Sequence, residues 1–548
     1  MRKLFVCLLC LLPVLLPAQP VERIYVSTDR PVYIAGDQVW CSLFSLNRQD
    51  GKLSDFSAVA YLELVSTDGT TARAKVSMMN GRGAGVFRIP SSTPTGNYKL
   101  IAYTAQNTNE EGTGPYAGAK LLSVFNTSSN ARVHNGVILD NASSSVQDNS
   151  TVKGNVDISL GSIVRAGAPF TLLLGIPGEV SADVTVSVYH QDALPLPEEH
   201  TLDGFKETIS RERRVKCQKS RLPEYEGEII TAHLKGLPEG QEGQIRAILS
   251  SAGSPSDVYI GKTDENGTVR FFTNNIYGDR ELVCEVDSQG AYLSLEDPFI
   301  GPEAGSIPAL VLNRSLFSAL VNRKAALQAT CRADTLYTFM SRRQDILLEG
   351  AVSRHYHLDD YTRFPSVQEI IVEITPELKL RKSHGKDAVW TVATDPNTSR
   401  SIVRDNNLVM LDGVVLTDIT PLLDMDAMLL EDIDIYLESV VIGGLSYNGA
   451  VNFISRKDYV KAIRFPSNVQ VTDFKGVSYP MAYLGGASET ERDLRQLLYW
   501  HPAFNISAGQ KVSLQLKAPS YEGLFRVLVE GIDSSGVPLR GEFFFEIK

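Results

Sequence analysis

Tyr25-Val-Ser-Thr-Asp-Arg-Pro-Val-Tyr-Ile-Ala-Gly-Asp-Gln-Val-Trp-Cys-Ser-Leu-Phe-Ser-Leu46 is the stretch that decides the fold. Pro31 cannot donate to a sheet ladder and opens an edge, Gly36-Asp37 is a turn, and Val39 to Leu43 enter a core as a strand. Outward from it, short apolar or alternating runs (VERIYVS, AVAYLELVS, GAGVFRIP, GNYKLIAYTA, AKLLSVFN) recur to Phe125, divided by Gly, Asp, Asn and Pro. That spacing predicts an all-β sandwich over 19–125. In AVAYLELV, alternation sends Ala60, Leu62 and Leu64 inward and Tyr61 and Glu63 outward.

The chain has 548 residues, enough for several domains. Arg2-Lys3, an apolar run from Leu4 to Leu16 and Pro17-Ala18 form the layout of a secretory signal over 1–18. That run is too short to span a membrane, and no later stretch is longer or more apolar, so no transmembrane segment is expected in the mature chain. Export places it in the periplasm, at the outer membrane or at the cell surface. Removing Arg2 and Lys3 leaves 51 basic against 64 acidic residues, a charge of −13. Such a balance argues against nucleic acid as a partner.

Residues 126–155, rich in Ser and Asn, read as a linker. A second β-sandwich is expected over 156–223, where Val184, Val186 and Val188 alternate with polar neighbours. A third spans 224–300, with a turn at Asp264 to Gly267. A helical or mixed connector covers 301–365, including an apolar three-and-four periodicity from Pro308 to Thr330 that predicts a helix. A small α+β domain follows over 366–460 and a C-terminal β-sandwich over 461–548. In the last of these, SETERDLRQLLYW is charged and helix-like.

The opening stretch, with Asp29, Pro31, Tyr33, Gly36, Val39 and Trp40, resembles the second domain of the alpha-2-macroglobulin family. GEIITAHLKG and TDENGTVRF are similar to the carboxypeptidase regulatory-like sandwich. Leu411-Asp412-Gly413-Val414, together with Tyr447, Gly449, Val451, Phe453 and Ser455, is similar to the plug domain of TonB-dependent receptors. The resemblances imply a mainly β chain of tandem immunoglobulin-like or macroglobulin-like sandwiches with a small α+β plug-like domain, exported by Gram-negative bacteria.

Thioester macroglobulins carry Cys-Gly-Glu-Gln, and none of Cys41, Cys217, Cys284 and Cys331 begins that segment. These four read as small buried side chains without a zinc pattern, and an oxidising compartment leaves a Cys217–Cys284 disulfide open. His355-Tyr356-His357 puts two imidazoles on one strand face without a third or fourth ligand to hold an ion, so no metal site is expected. GRGAG at Gly81 to Gly85 precedes a strand rather than a phosphate-binding helix. No catalytic residue, cofactor or enzyme activity is expected.

The candidate partner surface is Glu431, Asp432, Asp434 and Glu438 on an acidic strand, which suits a cationic partner, together with the aromatic pair Tyr499 and Trp500. The 91 residues after Lys457 are too few for a barrel of the plugged kind, so the plug-like domain must stand free or dock on another chain. The expectation is a non-catalytic envelope binding or scaffolding protein with a protein or polysaccharide partner. A macroglobulin-like endopeptidase inhibitor lacking a thioester, or an accessory of TonB-linked uptake docking to an outer-membrane protein, are the alternatives.

Overall fold

The computed structural model describes residues 21–548 except 111–115, 117, 129–136, 141–152, 161–162, 177–178, 195, 213–220, 238–243, 254–255, 275, 302–304, 314–315, 331–336, 340–347, 349–351, 384, 395–400, 457–462, 480 and 484–491. The expected signal, most of the linker, Cys217 and Cys331 lie outside the described residues. The fold is mainly β, as expected, with many small sheets. It divides into two compact units, one of Met1–Pro223, Ile300–Thr338 and Met481–Lys548, the other of Glu224–Phe299 and Phe339–Pro480.

In the first unit, eight strands from Glu22–Thr28 to Lys120–Phe125 close around a core that includes Val26, Leu43, Leu62, Val76, Leu100 and Leu122. Gly69–Met79 ties the two faces together, pairing with Val59–Ser66 and then with Arg82–Arg88. The latter joint is Asn80-Gly81, both at positive φ (52° and 73°), the turn whose twist matches paired strands. Gly85 of the same glycine-rich run lies flat against Val76, where a Cβ would stand 2.6 Å from Cγ2.

Ala60, Leu62 and Leu64 face the core, but Tyr61 and Glu63 are buried as well. Tyr61 stacks on Tyr103 at 5.7 Å. Glu63 accepts hydrogen bonds from the Tyr103 hydroxyl (2.6 Å) and the Ile300 and Gly301 amides (3.2 and 3.3 Å). The face expected to meet water is covered by a segment two hundred residues downstream, which alternation cannot reveal.

The opening motif is an internal brace. Asp29 Oδ1 accepts from the Tyr33 hydroxyl (2.8 Å) and the Trp40 amide (2.9 Å), while Arg30 pairs with Asp37 at 3.0 Å. Asp37 also accepts from the Ile34 amide, and Gly36 takes φ 100°, closing the turn. Burial pushes the Asp29 carboxyl up to about 6, although Arg30 and the two hydrogen bonds oppose it. An acid whose folded pKa lies above its unfolded 3.8 weakens the fold as pH rises from about 4 to about 6. Asp29→Asn keeps the Oδ1 acceptor and loses that titration. The stability difference between variant and wild type, measured by urea unfolding, should therefore move toward the variant by on the order of 2 kcal/mol between pH 4 and pH 7. Asp29→Ala loses the same titration and also strands two buried donors, so it should be less stable than Asp29→Asn by about 3 kcal/mol at either pH.

The second sandwich joins distant segments. Its larger sheet runs in the order Lys153–Gly154, Pro538–Ile547, Gly523–Asp533, Ala182–His190, Leu497–Ile506, and its smaller one Asp157–Leu160, Pro169–Gly175, Lys511–Lys517. One core includes Leu172, Leu174, Val184, Val186, Phe525, Val527 and Phe545. Strands assigned by sequence to two sandwiches, over 156–223 and 461–548, thus lie in the same sheets. Leu497 to Trp500, expected as helix-like, is strand, with Ser187 to Tyr189 as its partners.

Both sandwiches belong to one compact unit rather than to separate bodies. Helix Leu202–Arg211, capped by Thr201, inserts Leu202, Phe205 and Ile209 among Tyr25, Phe44, Leu46 and Ile532. The later helix begins at Phe317, not Pro308, because Leu310–Asn313 is drawn into a parallel pair with Val137–Asp140 inside the expected linker. Arg323 holds that helix down through a buried ion pair with Asp192.

In the second unit, a three-stranded sheet (Thr268–Phe272, Ile229–Lys235, Tyr292–Leu295) faces a four-stranded one (Asp257–Lys262, Arg246–Ser251, Asp279–Val286, Val469–Lys475). Asp264 anchors the expected turn by accepting from the Asn266 and Thr268 amides, both at 2.9 Å. Val469–Lys475, placed by sequence in the C-terminal sandwich, is the fourth strand of this one. Cys284 is a free, buried thiol in its core.

The α+β domain has a five-stranded sheet in the order Arg354–His357, Leu430–Tyr436, Ala450–Ser455, Leu408–Leu411, Val414–Val415. Helix Val367–Glu373, capped by Ser366, covers one face through Val367, Ile370 and Ile371. Asp412 and Gly413, at φ 49° and 76°, turn the last two strands, and Asp412 accepts from the Ser455 amide (2.7 Å) and hydroxyl (2.6 Å). The other face does not stand free. Leu408, Met410, Val415, Tyr436 and Ala450 pack with Ile248, Val258 and Ile260 of the neighbouring sandwich, and the Val415 amide donates to Ser250.

Candidate functional site

Alternation places Ile433 and Ile435 in the core, leaving Asp432 and Asp434 on the opposite face. The neighbouring strand pairs His355 with Asp434 and His357 with Asp432. The side chains meet as the backbone does: His355 Nδ1 lies 2.7 Å from Asp434 Oδ1, and His357 Nδ1 lies 2.7 Å from Asp432 Oδ1. His355 Nε2 is 3.9 Å from Asp432, so that ring spans the gap between the two carboxylates. The result is a four-membered ladder along the edge of the sheet.

Around it, Arg456 hydrogen-bonds Asp359 and holds that carboxyl below its ordinary range. Arg363 lies 3.6 Å from the same carboxylate. Arg354 and the Tyr356 hydroxyl both reach Glu377. The hydrogen bond to Asp432 raises the His357 pKa, with desolvation opposing it. Exposure of both imidazoles, 56% and 41%, keeps the ladder in contact with solvent. Among the described residues no group of three His, Cys, Asp or Glu could hold a metal ion.

The other expected surface residues are scattered. Glu431 is half-buried beside a register shift in the strand, and Glu438 is exposed in the turn beyond Tyr436. Asp432 and Asp434 have partners on their own chain, so the strand is not the bare acidic surface that its sequence suggested. Trp500 is not surface at all. At 1% exposure it packs with Trp40, Tyr189, Leu497 and Leu528 in the seam of the first unit, its ring 5.3 Å from that of Trp40. Tyr499, one residue earlier, turns to the second sandwich's own core and is half-buried.

The same seam holds polar residues that the sequence did not single out. Ser42 and Thr185 donate to the Pro502 carbonyl at 2.7 and 3.0 Å, and Arg82 reaches the same oxygen while lying 3.5 Å over the Phe44 ring. Burial brings Arg82 down to about 9. Tyr25 and Ser27 donate to Glu530, which also pairs with Arg540 at 3.0 Å. Nothing local marks these residues, since Ser42, Thr185 and Arg82 lie 460, 317 and 420 positions from Pro502, and Tyr25 and Ser27 lie 505 and 503 from Glu530.

Residues 23–116 match the family model of the MG2 domain. No curated protein matches the chain. Among solved structures it is similar to Salmonella alpha-2-macroglobulin reacted with methylamine, at 10% identity and TM-score 0.23, over 96% of this chain and 39% of that one. It is also similar to trypsin-activated alpha-2-macroglobulin from Escherichia coli, at 9% identity and TM-score 0.24, over 96% and 41%. Dimeric latent PorU from Porphyromonas gingivalis follows at 10% and 0.15, over 54% and 34%. The chain spans about two fifths of the length of these macroglobulins. Its N-terminal sandwich, braced by Asp29, Arg30, Tyr33 and Asp37, is a macroglobulin-type domain.

Proposed function

We propose that this chain is a non-catalytic binding or scaffolding protein exported to the envelope of a Gram-negative cell. The observation that carries the reading is where its distinctive residues go. Asp29, Tyr33, Trp40, Asp412 and Ser455, which stand out most in the sequence, are spent on bracing turns and sheets. Burial raises the Cys41 thiol far above its ordinary range and pushes Cys284 up to about 12, so neither supplies a thiolate nucleophile. No helix among the described residues is long and apolar enough to cross a membrane.

The macroglobulin-type domain favours one second reading, an endopeptidase inhibitor that works without a thioester. Purification of the tagged chain from its native envelope, followed by mass spectrometry, separates the two. Scaffolding predicts a stoichiometric envelope protein or polysaccharide, and no methylamine mass increment or covalent adduct on incubation with trypsin. A stable protease complex would put the inhibitor first, and a detergent-dependent complex with an outer-membrane receptor would put accessory uptake first.

A further inference from the structure

The His–Asp ladder is exposed, apart from the buried braces of the fold. Arg354–His357 is a four-residue strand at the edge of its sheet, and its neighbour there is Leu430–Tyr436. Two of its four side chains, His355 and His357, are bound to that neighbour through the 2.7 Å contacts to Asp434 and Asp432. Of the other two, Tyr356 packs inward against the core, and both it and Arg354 bond Glu377 rather than the neighbouring strand. The Ser353 amide on the Ile435 carbonyl (2.9 Å) and Ser353 Oγ, which accepts from the Leu437 amide (3.0 Å), hold the start of the strand, and the imidazole–carboxylate pairs add a side-chain attachment along its length. Imidazole is also the side chain whose charge changes near neutral pH.

We propose that the two pairs form a pH-sensitive clasp, which holds the edge strand Arg354–His357 to Leu430–Tyr436 when His357 is charged and loosens when it loses its proton. A protonated imidazole on a carboxylate makes a charge-assisted hydrogen bond, whereas a neutral one donates an ordinary hydrogen bond. The surroundings favour the charged form of His357. Asp432, Asp434 and Glu431 come from the neighbouring strand, and Asp359 and Asp360 from the turn that follows His357. The cations nearby have carboxylates of their own: Arg363 and Arg456 pair with Asp359, and Arg354 with Glu377. The direction follows from His357, whose folded pKa is raised. The extra hold is complete below the ordinary imidazole value and is lost as pH rises through the raised one.

Hydrogen exchange on the mature chain tests this, with rates at pH 6.0 and 8.5 corrected for intrinsic exchange. The peptide spanning residues 353–361 should lose at least threefold in protection at the higher pH, in keeping with about what two exposed ion pairs contribute. The Leu408–Leu411 strand of the same sheet should not change. His355→Gln with His357→Gln retains a donor for each carboxylate and cannot titrate, so its protection should be the same at both pH values. Asp432→Asn with Asp434→Asn should also remove the difference and lower the His357 titration midpoint read by NMR. A change under threefold in the wild type, or one that survives in the glutamine variant, overturns the clasp.

Discussion

A chain shortened to end at Pro480 should be unable to build its second sandwich. It would keep Lys153–Gly154 and Ala182–His190 of the larger sheet but lose Leu497–Ile506, Gly523–Asp533 and Pro538–Ile547. The central strand Ala182–His190 would then have both of its edges bare, since its partners on either side are among those lost. The smaller sheet would lose Lys511–Lys517, which pairs along the whole of Pro169–Gly175. Unpaired backbone and an uncovered apolar core cannot be compensated by what remains. The first sandwich would suffer too, because Tyr25 and Ser27 would lose Glu530, and the cluster around Phe205 would lose Ile532. In the second unit, Val469–Lys475 lies before the cut, so its sandwich should survive. Limited proteolysis with mass spectrometry reads the outcome: rapid cleavage between residues 153 and 211, and a resistant core from residues 224–299. A shortened chain that protects residues 153–211 would show that the C-terminal strands are dispensable.

The second large effect is expected at Trp500. Were it a partner anchor, Trp500→Ala would weaken binding and leave stability alone. Its place against Trp40, Tyr189, Leu497 and Leu528 predicts the reverse, a loss of about 3–5 kcal/mol in the stability of the first unit with no change in slope on urea unfolding. Tyr499→Ala, at a half-buried position, should cost less than half as much. Trp40→Ala and Trp500→Ala remove the two sides of one ring contact, so the double variant should cost less than the sum of the singles. An unfolding midpoint unmoved by Trp500→Ala would return the residue to the surface.

Length of contact decides what could be read in advance. The runs up to Phe125, the turns at Gly36-Asp37 and Asp264 to Gly267, and the mainly β character all rest on residues within a few positions of each other. Alternation, turn preference and the dense opening motif therefore report them directly. The acidic strand from Glu431 to Glu438 and the histidines at 355 and 357 were each visible as patterns. Their meeting was not, because Asp432 finds His357 across 75 positions.

What the sequence by itself determined, then, is the β-sandwich class and the strands and turns up to Phe125, because these follow from backbone preference and side-chain period, while the macroglobulin-type start is legible through the resemblance of its opening motif. Tertiary structure alone decided which strands share a sheet and which faces are covered. Val469–Lys475 and Leu497–Ile506 fall in one stretch that the sequence assigns to a single C-terminal sandwich, yet one completes a sandwich of the second unit and the other a sandwich of the first. A strand's own pattern states that it needs a partner and which face is apolar. It does not identify the partner, since backbone hydrogen bonds are the same for every strand and the choice is made by complementary packing between residues hundreds of positions apart.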